Sequence, residues 1–193
     1  GFTIGESSQY VILMEDNLAV ELGATVYGSI PTVASHADGG KRSISTPGAG
    51  NYLTVAQAAA SIHDLLGKDV LAHETIVQAH GTSTPQNRVT ESDVLSRVAR
   101  TFGVENWAVC AVKSQLGHSQ GTAGGDQLAI SLGTFASQIT PGIQTTDAVA
   151  PDVVQDGLDF VFKSREQRVS AALINAKGFG GNNSTAAILS PEA

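Results

Sequence analysis

Three short apolar segments, 74–79, 107–112 and 168–175, each run directly into a polar, mostly glycine-containing loop, with helix-spaced sequence between them. The loops are His80-Gly81-Thr82-Ser83-Thr84-Pro85, Lys113-Ser114-Gln115-Leu116-Gly117-His118 and Lys177-Gly178-Phe179-Gly180-Gly181-Asn182-Asn183. Strands that alternate with helices require crossover connections, which give a parallel sheet. The first helix is expected over 90–102, with Val94, Leu95, Val98 and Phe102 inward and a Thr90-to-Asp93 capping box. The second carries Leu128, Leu132, Phe135 and Ala136 at helical spacing, and the third loop returns into 184–189 as a hairpin. The expectation is an α/β fold with a mixed, mostly parallel sheet and helices on both faces. In such sheets ligands bind beyond the carboxyl ends of the strands, where these loops lie.

Upstream, 8–15 is a mostly apolar stretch of strand length, and Asp16 opens a short helix with Leu18 and Leu22 on one face before Gly23. A strand is expected over 25–35, with Pro31 marking a bulge or edge. Residues 36–50 read as a long Gly/Ser/Pro loop carrying Lys41 and Arg42. A helix over 51–66 follows, with Leu53, Ala56 and Ala60 on one stripe and Gly67 as its stop.

Composition narrows the function. A chain of 193 residues, 41% apolar and 15% charged, can bury ~70% of its unfolded surface in a single core. Its 11 basic and 18 acidic side chains give a net charge of −7, which argues against nucleic acid or an anionic membrane as main partner. One cysteine, Cys110, excludes a disulfide framework and favours a reducing compartment. No apolar run approaches the ~20 residues of a bilayer-spanning helix. Gly1 and the internal Met14 suggest a segment of something longer.

Two histidines and a lysine on neighbouring strand ends, His80, His118 and Lys113, are the candidate chemical groups. His36, His63 and His73 lie in a loop and around a helix end and are expected to be structural or solvated. Zinc is a poor fit, since acidic residues near the pair are not at ligand spacing and Cys110 precedes the loop within a strand. The same position argues against Cys110 as a nucleophile, which needs a turn or helix N-terminus to lower its pKa. Gly178, Gly180 and Gly181 do not make a dinucleotide fingerprint. Gly5-Glu6-Ser7-Ser8-Gln9 lacks the glycine that a nucleophile elbow needs at Gln9.

Four motifs in order, the opening GFTIGE, HGTSTPQNRVTE from His80, KSQLGHSQGTAGG from Lys113 and NAKGFGGNNS from Asn175, resemble the carboxy-terminal half of β-ketoacyl-acyl-carrier-protein synthases. The resemblance runs from Gly1 to about Leu189. It implies a thiolase-like half-fold, part of an α-β-α-β-α layered sandwich, with residues 1–193 as the carboxy-terminal half and the amino-terminal half, with its nucleophilic cysteine, absent. The implied activity is condensation of an enzyme-bound acyl group with the carbanion from decarboxylated malonyl-carrier protein, in fatty-acid or related acyl-chain synthesis.

By the resemblance, His80 and His118 donate N–H groups to the enolate oxygen and Lys113 orients His118. Thr82 and Thr84 hydrogen-bond the phosphopantetheine amides. Phe179, between Gly178 and Gly180, gates the acyl pocket and lends its backbone N–H to an oxyanion hole. No covalent cofactor and no metal are implied; the substrate rides on the phosphopantetheine of acyl carrier protein. The complete enzyme is expected to be a cytoplasmic homodimer.

This chain has Arg88 where the family usually has an acidic residue and Gln127 where it usually has a glutamate, while Glu91 matches. Arg88 is therefore expected to replace a bound cation and to pair with Glu91 or Asp126. Lys41, Arg42, Lys163, Arg165 and Arg168 are the expected docking charges for an acidic carrier protein. Two other uses of the same residues stay open, a non-condensing partner that shapes the acyl pocket or binds carrier protein, and a thioester hydrolase.

Overall fold

Residues 2–39 and 48–193 are described by a computed structural model. Burial identifies the centre of the sheet. All of β2 (Thr75–Gln78), all but the first residue of β3 (Asn106–Cys110) and the first five residues of β7 (Ala171–Lys177) are buried. The six-stranded sheet has the order β1 (Ser29–Ala37), β8 (Asn182–Leu189), β7, β2, β3 and β5 (Gly157–Phe160). Strand β8 runs antiparallel to both β1 and β7, and the remaining pairs are parallel, so β8 alone is reversed in this sheet. A two-residue ladder, β4 (Ile139–Thr140) with β6 (Arg165–Glu166), lies apart.

Both faces are covered. On one, α2 (Ala49–Leu66), α3 (Lys68–His73) and α4 (Pro85–Phe102) pack Ile62, Leu71 and Leu95 among a cluster that includes Val77, Val109 and Leu173. On the other, α6 (Ala123–Ser137) sets Phe135 among Ile76, Cys110, Ile174 and Ile188, with Leu128 and Leu132 alongside. At about 1.5–3 kcal/mol for each fully buried aliphatic side chain, these two layers fix the sheet whose strand ends carry the histidines.

Several expectations change. Residues 8–15 form no strand: Tyr10, Ile12 and Leu13 are exposed, and no ladder partner lies beside them among the described residues. The short helix α1 (Asp16–Glu21) is present, capped by Glu15 accepting from Leu18 N–H. Helix α2 turns Val55, Ala58, Ala59 and Ile62 inward, whereas Leu53 of the expected stripe is 42% exposed. Helix α4 begins at Pro85, five residues before Thr90. Thr84 caps it by accepting from Asn87 N–H, and proline suits the first turn because that N–H has no helical partner. Ala136 is exposed, and β5 forms where the apolar pattern gives no strand signal.

Candidate functional site

Parallel register brings the site together. Gln78 of β2 stands opposite Ile174 of β7 and Cys110 of β3, so the loops that follow these strands open on one edge of the sheet. The turn after β2 is held from α4 by Glu91. Its Oε1 accepts from His80 N–H at 2.7 Å and Asn175 Nδ2 at 2.7 Å. Its Oε2 accepts from Gly81 N–H at 3.0 Å and Asn87 Nδ2 at 2.8 Å. Burial alone would raise the Glu91 pKa; the Lys177 ammonium, then His80, and the hydrogen bonds from Gly81 and Asn87 outweigh it and hold the carboxyl below its usual range. Gly81 has φ +52°, and a Cβ there would meet the Ala111 Cβ at 2.8 Å, so the turn needs glycine.

His118 reaches the same place from the other loop. After the single turn of α5 (Lys113–Leu116), its backbone pairs with the amino-terminal segment: His118 N–H donates to Thr3 O at 2.7 Å and Gly5 N–H to His118 O at 3.0 Å. The rings of His80 and His118 are edge-on, with centroids 5.6 Å apart and planes at 86°. The Phe2 ring lies 5.3 Å from His118.

Backbone N–H groups fix both tautomers. Lys177 N–H donates to His80 Nδ1 at 3.2 Å and Gln120 N–H donates to His118 Nδ1 at 3.1 Å. With both Nδ1 atoms accepting, the ring protons sit on Nε2, and each histidine is a neutral N–H donor. Burial is the main reason the pKa of His80 falls to about 3. Glu91 opposes this fall, while Lys113, Lys177 and His118 add to it. His118 is lowered by burial and then by Lys113.

Lys113 is itself lowered by burial, against the pull of Glu91 and Asp126. Among the described residues its Nζ is buried without a hydrogen-bond partner. Both oxygens of each nearby carboxylate are already engaged, those of Glu91 as above and those of Asp126 by Gln9 and Ser119.

Lys113, His118, Gly81 and Thr82 line a cleft of about 690 Å³ whose far wall is the loop between β4 and β5. Thr82 and Thr84 share a hydroxyl contact of 3.1 Å; Thr82 lines the cleft and Thr84 stands behind it as the helix cap. The β7–β8 turn of Gly178, Phe179 and Gly180 lies off this lining, with Phe179 76% exposed. Cys110 is buried in β3, where burial pushes its thiol up to about 12.

The expected pairing of Arg88 with Glu91 or Asp126 is not what forms. Arg88 makes a two-pronged pair with Asp152 in the β4–β5 loop, Nε to Oδ1 and Nη2 to Oδ2 at 2.9 Å each. A hydrogen-bonded cation beside Glu91 is instead Lys177, whose Nζ donates to Asn87 Oδ1 at 3.1 Å and Thr90 Oγ1 at 3.2 Å. Gln127 is fully buried, and its Nε2 donates to the carbonyls of Gln78, Ala79 and Asn175.

Residues 27–146 match the family described as "Beta-ketoacyl synthase, C-terminal domain". The chain belongs to the β-ketoacyl synthase family. It is 53% identical over 193 residues to the "Beta-ketoacyl-[acyl-carrier-protein] synthase FabY" of Pseudomonas aeruginosa, covering 99% of this chain and 30% of that protein. It is 35% identical over 188 residues to the "3-oxoacyl-[acyl-carrier-protein] synthase 2" of a Synechocystis species, covering 97% of this chain and 43% of that protein. The crystal structure of the P. aeruginosa ketosynthase superposes with a TM-score of 0.96 at 52% identity, covering all of this chain and 30% of that one. The chain thus spans less than half the length of these relatives, and its fold is thiolase-like.

Sequence reasoning missed Lys177, Asn175 and Asp152. A lysine between a buried strand and a glycine turn was the available signal for Lys177. Of the expected docking charges, Arg165 pairs with Asp159 at 2.6 Å and Arg168 with Glu74 at 3.0 Å; Lys41 and Arg42 lie outside the described residues. No helix among the described residues is long and apolar enough to cross a membrane.

Proposed function

We propose that this chain supplies the enolate-stabilising half of a β-ketoacyl-acyl-carrier-protein synthase, residues 1–193 being its carboxy-terminal half. The supporting observation is the His80–His118 pair: two neutral imidazoles with ring centroids 5.6 Å apart, whose Nδ1 atoms both accept from backbone N–H groups and so leave both ring protons on Nε2. In malonyl-carrier protein the bond between carboxylate and methylene carbon breaks, CO2 leaves, and the electron pair delocalises onto the thioester oxygen. Two N–H donors aimed at that oxygen lower the barrier without transferring a proton. The carbanion then attacks an acyl thioester carbonyl and expels the cysteine thiolate, which belongs to the half outside this chain.

Lys113 contributes positive field beside His118 and opposes protonation of both rings. Thr82, which lines the cleft with the Thr84 hydroxyl bonded behind it, receives the phosphopantetheine arm, and the Phe179 backbone N–H serves acyl transfer onto the cysteine. The carrier protein is the partner, and the complete enzyme is a cytoplasmic homodimer in acyl-chain synthesis.

The test is malonyl-carrier decarboxylation by the full-length protein. His80→Ala and His118→Ala should each lower the rate by about 10²–10³ with intact fold. Rates within about threefold of the parent in both variants would remove the proposal.

A further inference from the structure

We propose that Lys177 is a positioning residue of the enolate site: its ammonium, clamped on α4, is the fixed counter-charge of Glu91, while its main-chain N–H keeps the His80 proton on Nε2. The inference rests on the function proposed above and names a group in the same site.

One residue makes both contacts. The Lys177 N–H lies 3.2 Å from His80 Nδ1, and its Nζ lies 3.1 Å from Asn87 Oδ1, one helical turn before Glu91, and 3.2 Å from Oγ1 of Thr90, the residue just before it. The side chain therefore pins the end of β7 to α4, and the backbone of that same strand end sets the histidine. Glu91 needs a counter-charge at this point. It is fully buried, its oxygens accept four N–H groups from neutral donors, and a buried anion without a cation is costly even when hydrogen-bonded.

Arg88 does not serve, because its guanidinium is paired side-on with Asp152 through Nε and Nη2. Lys113 faces the same carboxylate, but its Nζ has no hydrogen bond to hold it at that distance. Around His80 the charged and titratable groups are Glu91 from α4, Lys113 from α5, Lys177 from β7 and His118 from its loop. Removing the Lys177 charge leaves Glu91 to be balanced by a proton, and His80, whose main-chain N–H Glu91 already holds, is a basic group electrostatically coupled to it. Protonation at Nδ1 would break the Lys177 N–H contact and change a neutral donor into a cation. A lysine here makes the counter-charge part of the chain, so the site needs no mobile cation.

The test uses the full-length protein with Lys177→Met and Lys177→Gln; the second keeps donors for Asn87 and Thr90 while losing the charge, and carries the test if the first fails to fold. Malonyl-carrier decarboxylation and the ¹⁵N spectrum of the histidine rings are measured together, the His80 signals being assigned from the His80→Asn spectrum. Expected are a fall in kcat of about 100-fold with KM within about threefold, a recovery of at least about tenfold on adding ammonium or methylammonium, and a His80 spectrum moved from the Nε2–H form toward a protonated Nδ1. A parent-like His80 spectrum in the folded variants, or a rate loss that ammonium leaves unmoved, overturns the inference. If the unaltered protein shows no decarboxylation, the proposed function fails instead, and the ring spectra alone decide the role of Lys177.

Discussion

Gln127 Nε2 on α6 lies 2.9 Å from the carbonyl oxygens of both Gln78 and Ala79, the last two residues before His80, and 3.1 Å from that of Asn175. A neutral amide thus fastens the end of β2 to the end of β7 from beneath. Gln127→Glu, the residue the family pattern leads one to expect here, would aim carboxylate oxygen at three carbonyls. The variant should lose about 2–5 kcal/mol at pH 7, because a buried charge faces acceptors only. Burial raises the pKa of such a carboxyl, and its protonated form can donate, so the loss should shrink as pH falls toward 5. Urea denaturation at the two pH values checks this; an equal loss at both would mean that the charge is not its source.

His80 gives the protein an acid-side weakness of definite sign. Its pKa is lowered from 6.5 to about 3 in the folded state, mainly by burial, so between these values the unfolded chain binds a proton that the folded chain refuses. Stability is full above pH 6.5 and declines as pH falls toward about 3, by a few kcal/mol if no other group compensates. Glu91 adds to the same trend, since its carboxyl is held below the usual range when folded and its contribution is lost as pH falls through that lowered value. His80→Asn should flatten the slope of unfolding free energy between pH 6.5 and 5, where Glu91 contributes little. An unchanged slope would assign the acid sensitivity elsewhere. Decarboxylation should not lose His80 to protonation at any pH above 5.

The strand-to-loop pattern was legible because it is local: apolar runs ending in glycine-rich polar sequence at 80, 113 and 177 give the strand ends that converge in space. His80, Lys113 and His118 follow from that pattern. Lys177 and Asp152 did not, because their roles depend on partners 90 and 64 positions away, Asn87 and Arg88. Charge type alone led to Arg88 as the partner of Glu91, but an arginine at the helix surface reaches a loop aspartate more cheaply than a buried carboxylate already holding four donors. Likewise, the apolar composition of 8–15 says that these side chains suit burial, and a strand also needs a neighbouring backbone to pair with.

Arg88 and Asp152 tie α4 to the loop that walls the cleft, and Val154 N–H adds a second tie to Ser92 Oγ at 3.1 Å. Both charged side chains are nearly half exposed, so little change in global stability is expected from breaking the pair. The loop should instead loosen. Arg88→Ala and Asp152→Ala should each raise KM for carrier-borne malonyl substrate by about three- to tenfold, and the double variant should add nothing further, since either change removes the whole contact. Limited proteolysis within residues 143–153 should accelerate equally in all three. Additive effects on KM would show that the two side chains act separately. Arg88→Asp should produce no response to added cations.

Gly5 sets the height of the His118 loop without touching the cleft. Its N–H donates to His118 O, and an added Cβ would collide with the carbonyl oxygen of Leu116 and lie 3.0 Å from the Gly117 carbonyl carbon. That neighbour is backbone and has no rotamer to yield, so the Thr3–Gly5 segment or the loop must shift by several tenths of an ångström. Gly5→Ala should therefore cost about 1–3 kcal/mol and move His118 relative to His80, lowering decarboxylation by about tenfold or more, as small displacements of catalytic donors do. The His80 ring spectrum should stay as in the parent, because Lys177 and Glu91 hold that histidine from the opposite side. A Gly5→Ala protein with parent stability and rate would show that the amino-terminal segment does not position His118.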